Sequence, residues 1–382
     1  MRETLGLYLH IPFCVKKCNY CDFCSTRADA ATRAAYVDAL CAHLLAAAPT
    51  AKDRVVDTVY LGGGTPTILE GAELARILRT VRSAYALTTD VEITTECNPI
   101  TGRDALFETL ASEGVNRLSI GVQSVHENEL ALLGRAHSFA DFLATLDAAR
   151  RAGLSNISAD VMFGIPAQTP ESFKTTLETL VALPLTHLSA YGLRIEEGTP
   201  FAKHRDTLPF PSEDEEADMA ELVATLLPKH GFSRYEISNY ARNGAKSKHN
   251  MRYWLGEEYL GFGPAAHSFF GGVRFATPPD TSHYINAVAS GNFDALRADT
   301  HIIAPPEARE EYIMLRMRLA DGVDKQDFSH RFGTSFEDAY GDLTPLAANG
   351  LLVNTRERVA FTARGMQVSN AILAEWLDFK GE

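Results

Sequence analysis

Short apolar runs and amphipathic segments alternate over the first half of the chain. The apolar runs, rich in β-branched and aromatic residues, are 5–10, 55–61, 91–96, 117–122, 158–163 and 187–193. The segments between them, in which apolar residues recur with helical spacing, are 31–48, 72–84, 103–113, 139–152 and 172–183. Strand-like runs separated by helix-like segments indicate βα units and a parallel sheet. Six such units predict an α/β fold, an open and partial (β/α)6 barrel, whose functional groups gather at the C-terminal ends of the strands.

The pattern changes beyond the sixth unit. Residues 212–230 predict a further helix with an acidic start, which suits a helix N-terminus. Residues 233–300 are richer in glycine, proline and aromatic residues and are expected to carry loops. Beyond them, helices are expected near 306–319, 325–332 and 336–349, then two short strands within 351–361 and a last helix. The predicted organisation is a barrel over 1–232, a barrel extension over 233–300, and a smaller helical, winged-helix-like domain over 301–382.

Composition and charge narrow the classes of partner. The 382 residues carry a net charge of -13, and residues 301–382 contain nine Lys/Arg against thirteen Asp/Glu. Because binding to a phosphate backbone needs a positive surface, a nucleic-acid partner is not expected. No apolar run approaches the roughly 20 residues that span a bilayer, so no membrane-spanning segment is expected. Four of the six cysteines lie within 14–24, which indicates metal ligation in a reducing compartment, and the predicted location is the cytoplasm.

Cys14, Cys18 and Cys21 follow the first predicted strand with the spacing CxxxCxxC. Three thiolates on one loop can bind three irons of a [4Fe–4S] cluster and leave the fourth iron open. S-adenosylmethionine (SAM) can chelate that open iron and be cleaved reductively, and this spacing is the signature of radical SAM proteins. A zinc site is the alternative, with Cys24 or His10 as the fourth ligand. A fourth thiolate would occupy the iron that SAM needs, so Cys24 is not expected to bind the cluster.

Polar residues recur where the predicted strands end. A glycine run at 62–64, followed by Thr-Pro-Thr, comes after the second strand, and glycines allow backbone groups to approach a ligand closely. The expected ligand group is the methionine moiety of SAM, with its ammonium and carboxylate. Glu96, Gln123 and Asp160 end later strands and are expected to face the same barrel mouth. Arg135 could meet the SAM carboxylate as a two-pronged donor, although each of these residues also has a structural alternative.

His249 lies in a polar segment just before Tyr253 and Trp254. A histidine near two aromatic residues suits ligation of haem iron and stacking on a porphyrin. The alternative is a histidine that holds a loop by hydrogen bonds while the aromatic residues pack, and spacing alone favours this second interpretation.

These motifs together resemble a known family over nearly the whole chain. The strings Tyr-Leu-His-Ile-Pro-Phe-Cys at 8–14, Gly-Gly-Gly-Thr-Pro-Thr at 62–67, Gly-Val-Gln-Ser at 121–124 and Asp-Val-Met-Phe-Gly-Ile-Pro at 160–166 look like the oxygen-independent coproporphyrinogen III oxidase superfamily of radical SAM proteins. The strings Ser-Asn-Tyr-Ala at 238–241, His-Asn-Met-Arg-Tyr-Trp at 249–254 and Glu-Tyr-Leu-Gly-Phe-Gly-Pro-Ala-Ala-His-Ser at 258–268 look like its haem chaperone HemW branch. The true oxidases carry a further cysteine where this chain has Phe23, and Cys24 is atypical of both groups.

The resemblance implies a role for each matching residue. Cys14, Cys18 and Cys21 are expected to bind the cluster. The residues expected to contact SAM are Tyr8, Tyr20, Gly63, Gly64, Thr65, Glu96, Gln123, Arg135, Asp160, Gly192 and His267. The residues expected to contact haem are His249, Tyr253 and Trp254.

Two classes of function follow from the resemblance. The first is a radical SAM [4Fe–4S] protein that acts as a haem chaperone. It would bind haem and deliver it to haem-dependent respiratory proteins, with an electron donor such as flavodoxin or ferredoxin. The second is an enzyme, either an oxygen-independent coproporphyrinogen III oxidase that decarboxylates its substrate through a 5′-deoxyadenosyl radical, or a two-SAM radical methylase or cyclopropanase. The sequence leaves this choice open and assigns no catalytic residue.

Overall fold

Twelve strands form one continuous sheet, and its centre is the predicted run of parallel strands. The computed structural model describes residues 3–377. Six strands pair in parallel and in chain order: β1 (Thr4–Ile11), β2 (Val55–Gly63), β3 (Leu87–Cys97), β4 (Arg117–Gln123), β5 (Ile157–Phe163) and β6 (His187–Gly192). The partial barrel is therefore confirmed, and the carboxyl ends of these strands meet at one rim.

Helices connect or follow these strands, and all of them except α4 and α7 share one apolar core with the strands. They are α1 (Ala30–Ala47), α2 (Gly71–Ala84), α3 (Asp104–Ser112), α4 (Glu127–Leu132), α5 (Phe139–Arg151), α6 (Pro170–Val181), α7 (Pro200–Lys203) and α8 (Glu213–Lys229). Ser138, Thr169 and Ser212 cap the starts of α5, α6 and α8 by accepting from a backbone N–H of the first turn. One helical stretch, Ala30–Ala51, is long and apolar enough to cross a membrane by length and composition alone, and its buried side chains pack in the barrel core.

The barrel extension adds strands at both edges of the parallel sheet, where the sequence pattern predicts loops. Its elements are β7 (Ser233–Arg234), β8 (Asn239–Ala241), α9 (Lys248–Leu255), β9 (Tyr259–Phe262), β10 (His267–Phe270), β11 (Val273–Ala276), α10 (Thr281–Ala289) and β12 (Ala298–Ile302). β9 pairs in parallel with β1, and β8 pairs antiparallel with β6. These strands have two to five residues and end in turns such as Gly271-Gly272, where both φ angles are positive. Their apolar runs are too short to show a period, which is why the sequence pattern does not predict them.

The C-terminal domain has an apolar core of its own. Its elements are α11 (Pro305–Arg316), β13 (Val323–Asp324), α12 (Lys325–Phe332), α13 (Phe336–Tyr340), α14 (Thr344–Ala348), β14 (Leu352–Asn354), β15 (Arg358–Phe361), α15 (Ala363–Gln367) and α16 (Ser369–Trp376). The three strands form a small antiparallel sheet beside the helices, a winged-helix-like arrangement. The single helix predicted over 336–349 is interrupted at Gly341, whose φ of 79° is incompatible with a right-handed helix.

Candidate functional site

A cavity of about 430 Å³ opens at the rim where the parallel strands end. It brings together eleven of the residues predicted for the cluster and SAM: Cys14, Cys18, Tyr20, Cys21, Gly63, Gly64, Thr65, Glu96, Gln123, Arg135 and Asp160. They come from the loop after β1, from the ends of β2, β3 and β4 or just beyond them, from the middle of β5, and from the loop after α4. We call this space the cysteine cavity.

The cysteine loop is fixed to the barrel by backbone hydrogen bonds. Cys14 N–H donates to Thr26 O at 3.0 Å, and Thr26 N–H donates to Pro12 O at 2.9 Å, which closes the two ends of the loop. In the middle of the loop, Asn19 N–H donates to Leu133 O at 3.0 Å. Because the backbone is already ordered, little conformational entropy is left to lose when a cofactor binds.

The three thiols line the cavity beside polar groups from other elements. Cys14 Sγ lies 3.6 Å from Thr65 Oγ1, and Cys18 Sγ lies 3.6 Å from a guanidinium nitrogen of Arg135. Burial raises the pKa of the Cys21 thiol to about 11, whereas a cation such as Arg135 favours a thiolate beside it. Three half-buried thiols on one ordered loop fit an iron–sulfur cluster bound by three thiolates.

The geometry favours a multi-iron cluster over a single zinc ion. No group of three or more His, Cys, Asp or Glu side chains within residues 3–377 lies close enough to share one metal ion. A cluster, by contrast, spreads its thiolates over different irons. The two candidate fourth ligands are engaged elsewhere: His10 Nε2 lies 2.8 Å from Cys24 O, and Cys24 Sγ donates to Pro279 O at 3.5 Å. Cys24 lines a different cavity from the other three cysteines of the loop.

The glycines at 63 and 64 (the glycine turn) are required by the packing of the protein itself, whether or not a ligand binds there. A Cβ at Gly63, whose φ is 106°, would lie 2.5 Å from the His10 ring, and one at Gly64 would lie 2.6 Å from Phe13 O. The N–H groups of both glycines already donate within the protein. What the turn offers a ligand is therefore its carbonyl oxygens, which can accept hydrogen bonds from an ammonium group.

Glu96 ends β3, and two hydrogen bonds hold its carboxyl group at the cavity wall. Tyr60 Oη donates to Oε1 at 2.9 Å, and Gly63 N–H donates to Oε2 at 3.0 Å. Burial raises the pKa of Glu96 to about 7, and the neighbouring Asp160 raises it further. The two hydrogen bonds lower the pKa but do not offset the effect of burial. A buried carboxyl group that titrates near neutrality in a cavity is a candidate partner for a cationic ligand group.

Gln123, Arg135 and Asp160 lie along the wall formed by β4 and β5. Asp160 accepts hydrogen bonds from Ser119 Oγ at 3.1 and 3.2 Å, and burial raises its pKa. Arg135 donates to Gly121 O at 2.7 Å. Gln123 has a φ of 64° at an irregularity of the β4–β5 pairing, a conformation that residues with a Cβ rarely adopt. Such backbone strain at a strand end is typical of functional sites.

The cavity also contains residues that the sequence analysis did not identify. They include Tyr60, Arg117, Ser119, Ser189, Tyr191 and Asn250, and also Lys16 and Lys17 of the cysteine loop. A signal for two of them was present, because Arg117, Ser119, Gly121 and Gln123 alternate along β4 and all line the cavity. Polar residues at every second position of a buried strand mark its inward face. Asn250 comes from α9, and no local pattern connects that helix to the barrel mouth.

Three residues that the resemblance assigns to SAM lie outside the cysteine cavity. Tyr8 reaches it only through Tyr60, on whose ring it stacks with centroids 6.1 Å apart. Gly192 is exposed at the end of β6 and lines a separate cavity, and His267 is exposed on β10. Their contact with SAM stays a prediction.

Helix α9 carries His249 and packs on the inward face of β2 and β3. Glu92 accepts hydrogen bonds from the backbone N–H groups of Lys248 and His249 at 3.0 and 3.1 Å, which suits a helix N-terminus. The His249 ring is 1% exposed, with Nδ1 2.9 Å from Thr58 Oγ1 and Nε2 2.8 Å from Tyr253 Oη. Burial lowers the pKa of His249 to about 3, so the ring is neutral. To ligate haem iron, His249 would have to give up a hydrogen bond and leave the barrel interior.

We expect His249→Ala to destabilise the fold and to leave the haem spectrum unchanged in shape. The substitution removes the partner of Thr58 Oγ1 and of Tyr253 Oη. Each buried group left unpaired costs about 1–3 kcal/mol, so the loss of the partner of two such groups should lower the free energy of unfolding by about 2–6 kcal/mol. Thermal unfolding and Soret titration measure the two effects, with the exposed His230→Ala as control. A displaced Soret band without a loss of stability would instead identify His249 as the iron ligand.

Comparison with known proteins places these features in a family. The radical SAM superfamily profile matches residues 8–180, and the HemN C-terminal domain profile matches residues 303–368. Haem chaperone HemW of Lactococcus lactis is 33% identical over 99% of this chain and 98% of its own length. Haem chaperone HemW of Bacillus subtilis is 34% identical over 97% of this chain and 98% of its own length.

A solved structure shares nearly the whole fold. Coproporphyrinogen III oxidase (HemN) from Escherichia coli superposes with a TM-score of 0.85 at 25% identity, covering 99% of this chain and 91% of its own. The sequence identity to the HemW proteins is higher over the same extent. The resemblance deduced from the motifs is therefore confirmed. The chain belongs to the HemW family within the radical SAM superfamily.

Proposed function

We propose that this protein is a haem chaperone that binds a [4Fe–4S] cluster and SAM in its cysteine cavity. The observation that carries the proposal is the full-length match to relatives named for that function, at 33% and 34% identity. Membership of the radical SAM superfamily implies the cluster and SAM. The binding of haem is inferred from the names of the relatives.

Three groups of residues in the cysteine cavity have proposed roles. Cys14, Cys18 and Cys21 would hold the cluster, and when bound and reduced the cluster would supply an electron for the cleavage of SAM. The Glu96 carboxylate and the carbonyl oxygens of the glycine turn accept hydrogen bonds from the SAM ammonium. The Arg135 guanidinium donates to the SAM carboxylate.

The size of the cysteine cavity favours the chaperone over the oxidase. Its volume of about 430 Å³ lies toward the small end of the range for small-molecule sites, about 300–1,000 Å³. The cluster and SAM take up this space first, and a tetrapyrrole substrate would need room beside them. This argument favours a haem site elsewhere on the protein.

The proposed partners follow from the same function. Haem is loaded in the cytoplasm and passed to haem-dependent respiratory proteins, and the electron donor is of the flavodoxin or ferredoxin type. Lys16 and Lys17 are exposed on the cysteine loop, in a chain whose net charge is -13. A local positive patch next to the cluster suits an acidic electron carrier.

Anaerobic haem titration combined with an oxidase assay tests the proposal. The full chain with its cluster reconstituted should give a saturable Soret change with about one haem per chain. With SAM, a reductant and coproporphyrinogen, it should form no protoporphyrinogen. If the protein binds no haem and converts coproporphyrinogen, the chaperone proposal fails and the oxidase takes its place.

A further inference from the structure

A second cavity, of about 610 Å³, lies between the barrel extension and the C-terminal domain. Its walls come from the end of α9, from β10, β11 and the turn between them, and from α11 and α12. This volume lies within the range of about 300–1,000 Å³ for small-molecule sites and exceeds that of the cysteine cavity. None of the residues predicted to bind the cluster or SAM lines it. We call it the interdomain cavity.

Aromatic rings supply flat apolar surface in the interdomain cavity. Trp254, Phe269, Tyr312 and Phe332 all line it. Trp254 is the last residue of the string 249–254. Of the two ends of this string, the tryptophan lines the interdomain cavity and the histidine does not. Aromatic side chains of this kind stack on flat conjugated ligands.

Positive charge accompanies the aromatic rings. The lining residues include three arginines, Arg274, Arg316 and Arg331, and one carboxylate, that of Glu311, in a chain whose net charge is -13. Arg274 forms an ion pair with Glu311, and Arg331 donates to Asp327 at 2.8 and 2.9 Å. Arg316 donates one hydrogen bond to a backbone carbonyl at 3.3 Å, and its Nε is buried without a partner among the described residues. Arg316 is therefore the lining arginine that forms no ion pair among the described residues and keeps a donor for a ligand.

His330 is the one histidine among the residues that line this cavity. It lies in the last turn of α12 and is exposed. Within residues 3–377, no hydrogen bond or ion pair engages its ring. A neutral imidazole nitrogen is a common axial ligand of haem iron.

We propose that the interdomain cavity is the haem site, with His330 as an axial ligand. The inference rests on the proposed chaperone function and adds to it the location and the residues. Haem combines a flat apolar macrocycle, two carboxylates and an iron. Trp254 and Tyr312 would contact the macrocycle, Arg316 and Arg331 the propionates, and His330 the iron.

Titration of hemin into the full chain with its cluster reconstituted tests the role of His330. In His330→Ala the Soret maximum should shift and the affinity should fall at least about tenfold, because the iron loses its protein ligand. The side chain is exposed, so the fold should be unaffected. His230→Ala, which removes an exposed histidine outside this cavity, should behave like the wild type.

The outcomes separate this inference from the proposed function. If the wild type binds no hemin, the chaperone function itself fails. If the wild type binds hemin and His330→Ala keeps the same spectrum and affinity, the chaperone function stands and the assignment of His330 is overturned.

The propionate contacts have a matched test. Arg331 and Arg358 are 51% and 50% exposed, and each is paired with an aspartate, but Arg331 alone of the two lines the cavity. Arg331→Gln should weaken hemin binding about three- to tenfold and leave binding of hemin dimethyl ester unchanged, since the ester has no carboxylates. Arg358→Gln should change neither. An equal loss for both ligands, or for both variants, would overturn the propionate assignment.

Discussion

Replacing Cys14, Cys18 or Cys21 by alanine is expected to abolish the iron–sulfur cluster and not merely to weaken it. Three thiolates are the full set that this loop supplies to the cysteine cavity, and one open iron must remain for SAM. Iron and sulfide content should fall from about four each per chain to near zero after anaerobic reconstitution. The cluster absorbance and electron paramagnetic resonance signal should disappear with them.

Cys24→Ser is the matched control for this prediction. Cys24 belongs to the same loop and is also half-buried, but it lines a separate cavity and donates to Pro279 O. Serine keeps that hydrogen bond possible, so iron content and SAM binding should stay at the wild-type level. A complete cluster in any of the three alanine variants would contradict the assignment. Loss of iron in Cys24→Ser would make Cys24 a ligand.

The barrel could be predicted because each of its βα units has a recognisable pattern of apolar residues within a short stretch of sequence. β2 and α2, for example, show an apolar run and a helical period within about thirty residues, and tertiary packing only joins such units side by side. The barrel extension lacks this property. β9 has only four residues, and its partner β1 lies at the other end of the barrel sequence. Tertiary contacts therefore determine this pairing, and a local sequence pattern cannot predict it.

The residues of the candidate site also fall into those that local sequence predicts and those that it does not. Glu96 could be predicted because it lies next to the end of β3, and strand ends of a parallel barrel converge. The sequence pattern predicts Asp160 at a strand end as well, but it lies in the middle of β5 and reaches the cavity from within that strand. The role of His249 could not be deduced from its neighbours in sequence, since the groups that fix it are Thr58 on β2 and Glu92 on β3. The histidine of the motif is held inside the barrel by residues more than 150 positions away, whereas its tryptophan lines the interdomain cavity.

Replacing Glu96 by alanine is expected to weaken SAM binding about ten- to a hundredfold while the cluster is retained. Loss of a hydrogen bond to a charged group costs about 1.5–3 kcal/mol, which corresponds to this change in affinity. Isothermal titration with SAM and iron analysis on the same samples measure both quantities. Glu92→Gln is a control on the same strand, because Glu92 caps α9 and does not line the cysteine cavity. Unchanged SAM affinity in Glu96→Ala would assign Glu96 to a structural role.

Because the pKa of Glu96 is about 7, SAM affinity should depend on pH in a way that a purely structural role of Glu96 would not produce. Burial sets this pKa to about 7 in the free protein, and a bound ammonium would favour the ionised carboxylate. Below pH 7 the carboxyl group is protonated and must release its proton when SAM binds. SAM affinity should therefore fall by up to about tenfold for each unit of pH below 7, and reach its full value above pH 7. In Glu96→Gln residue 96 carries no carboxyl group, so the part of the slope that is centred near pH 7 should disappear, although Asp160 remains in the cavity. A wild-type affinity that is constant between pH 5.5 and 7 would contradict the proposed contact.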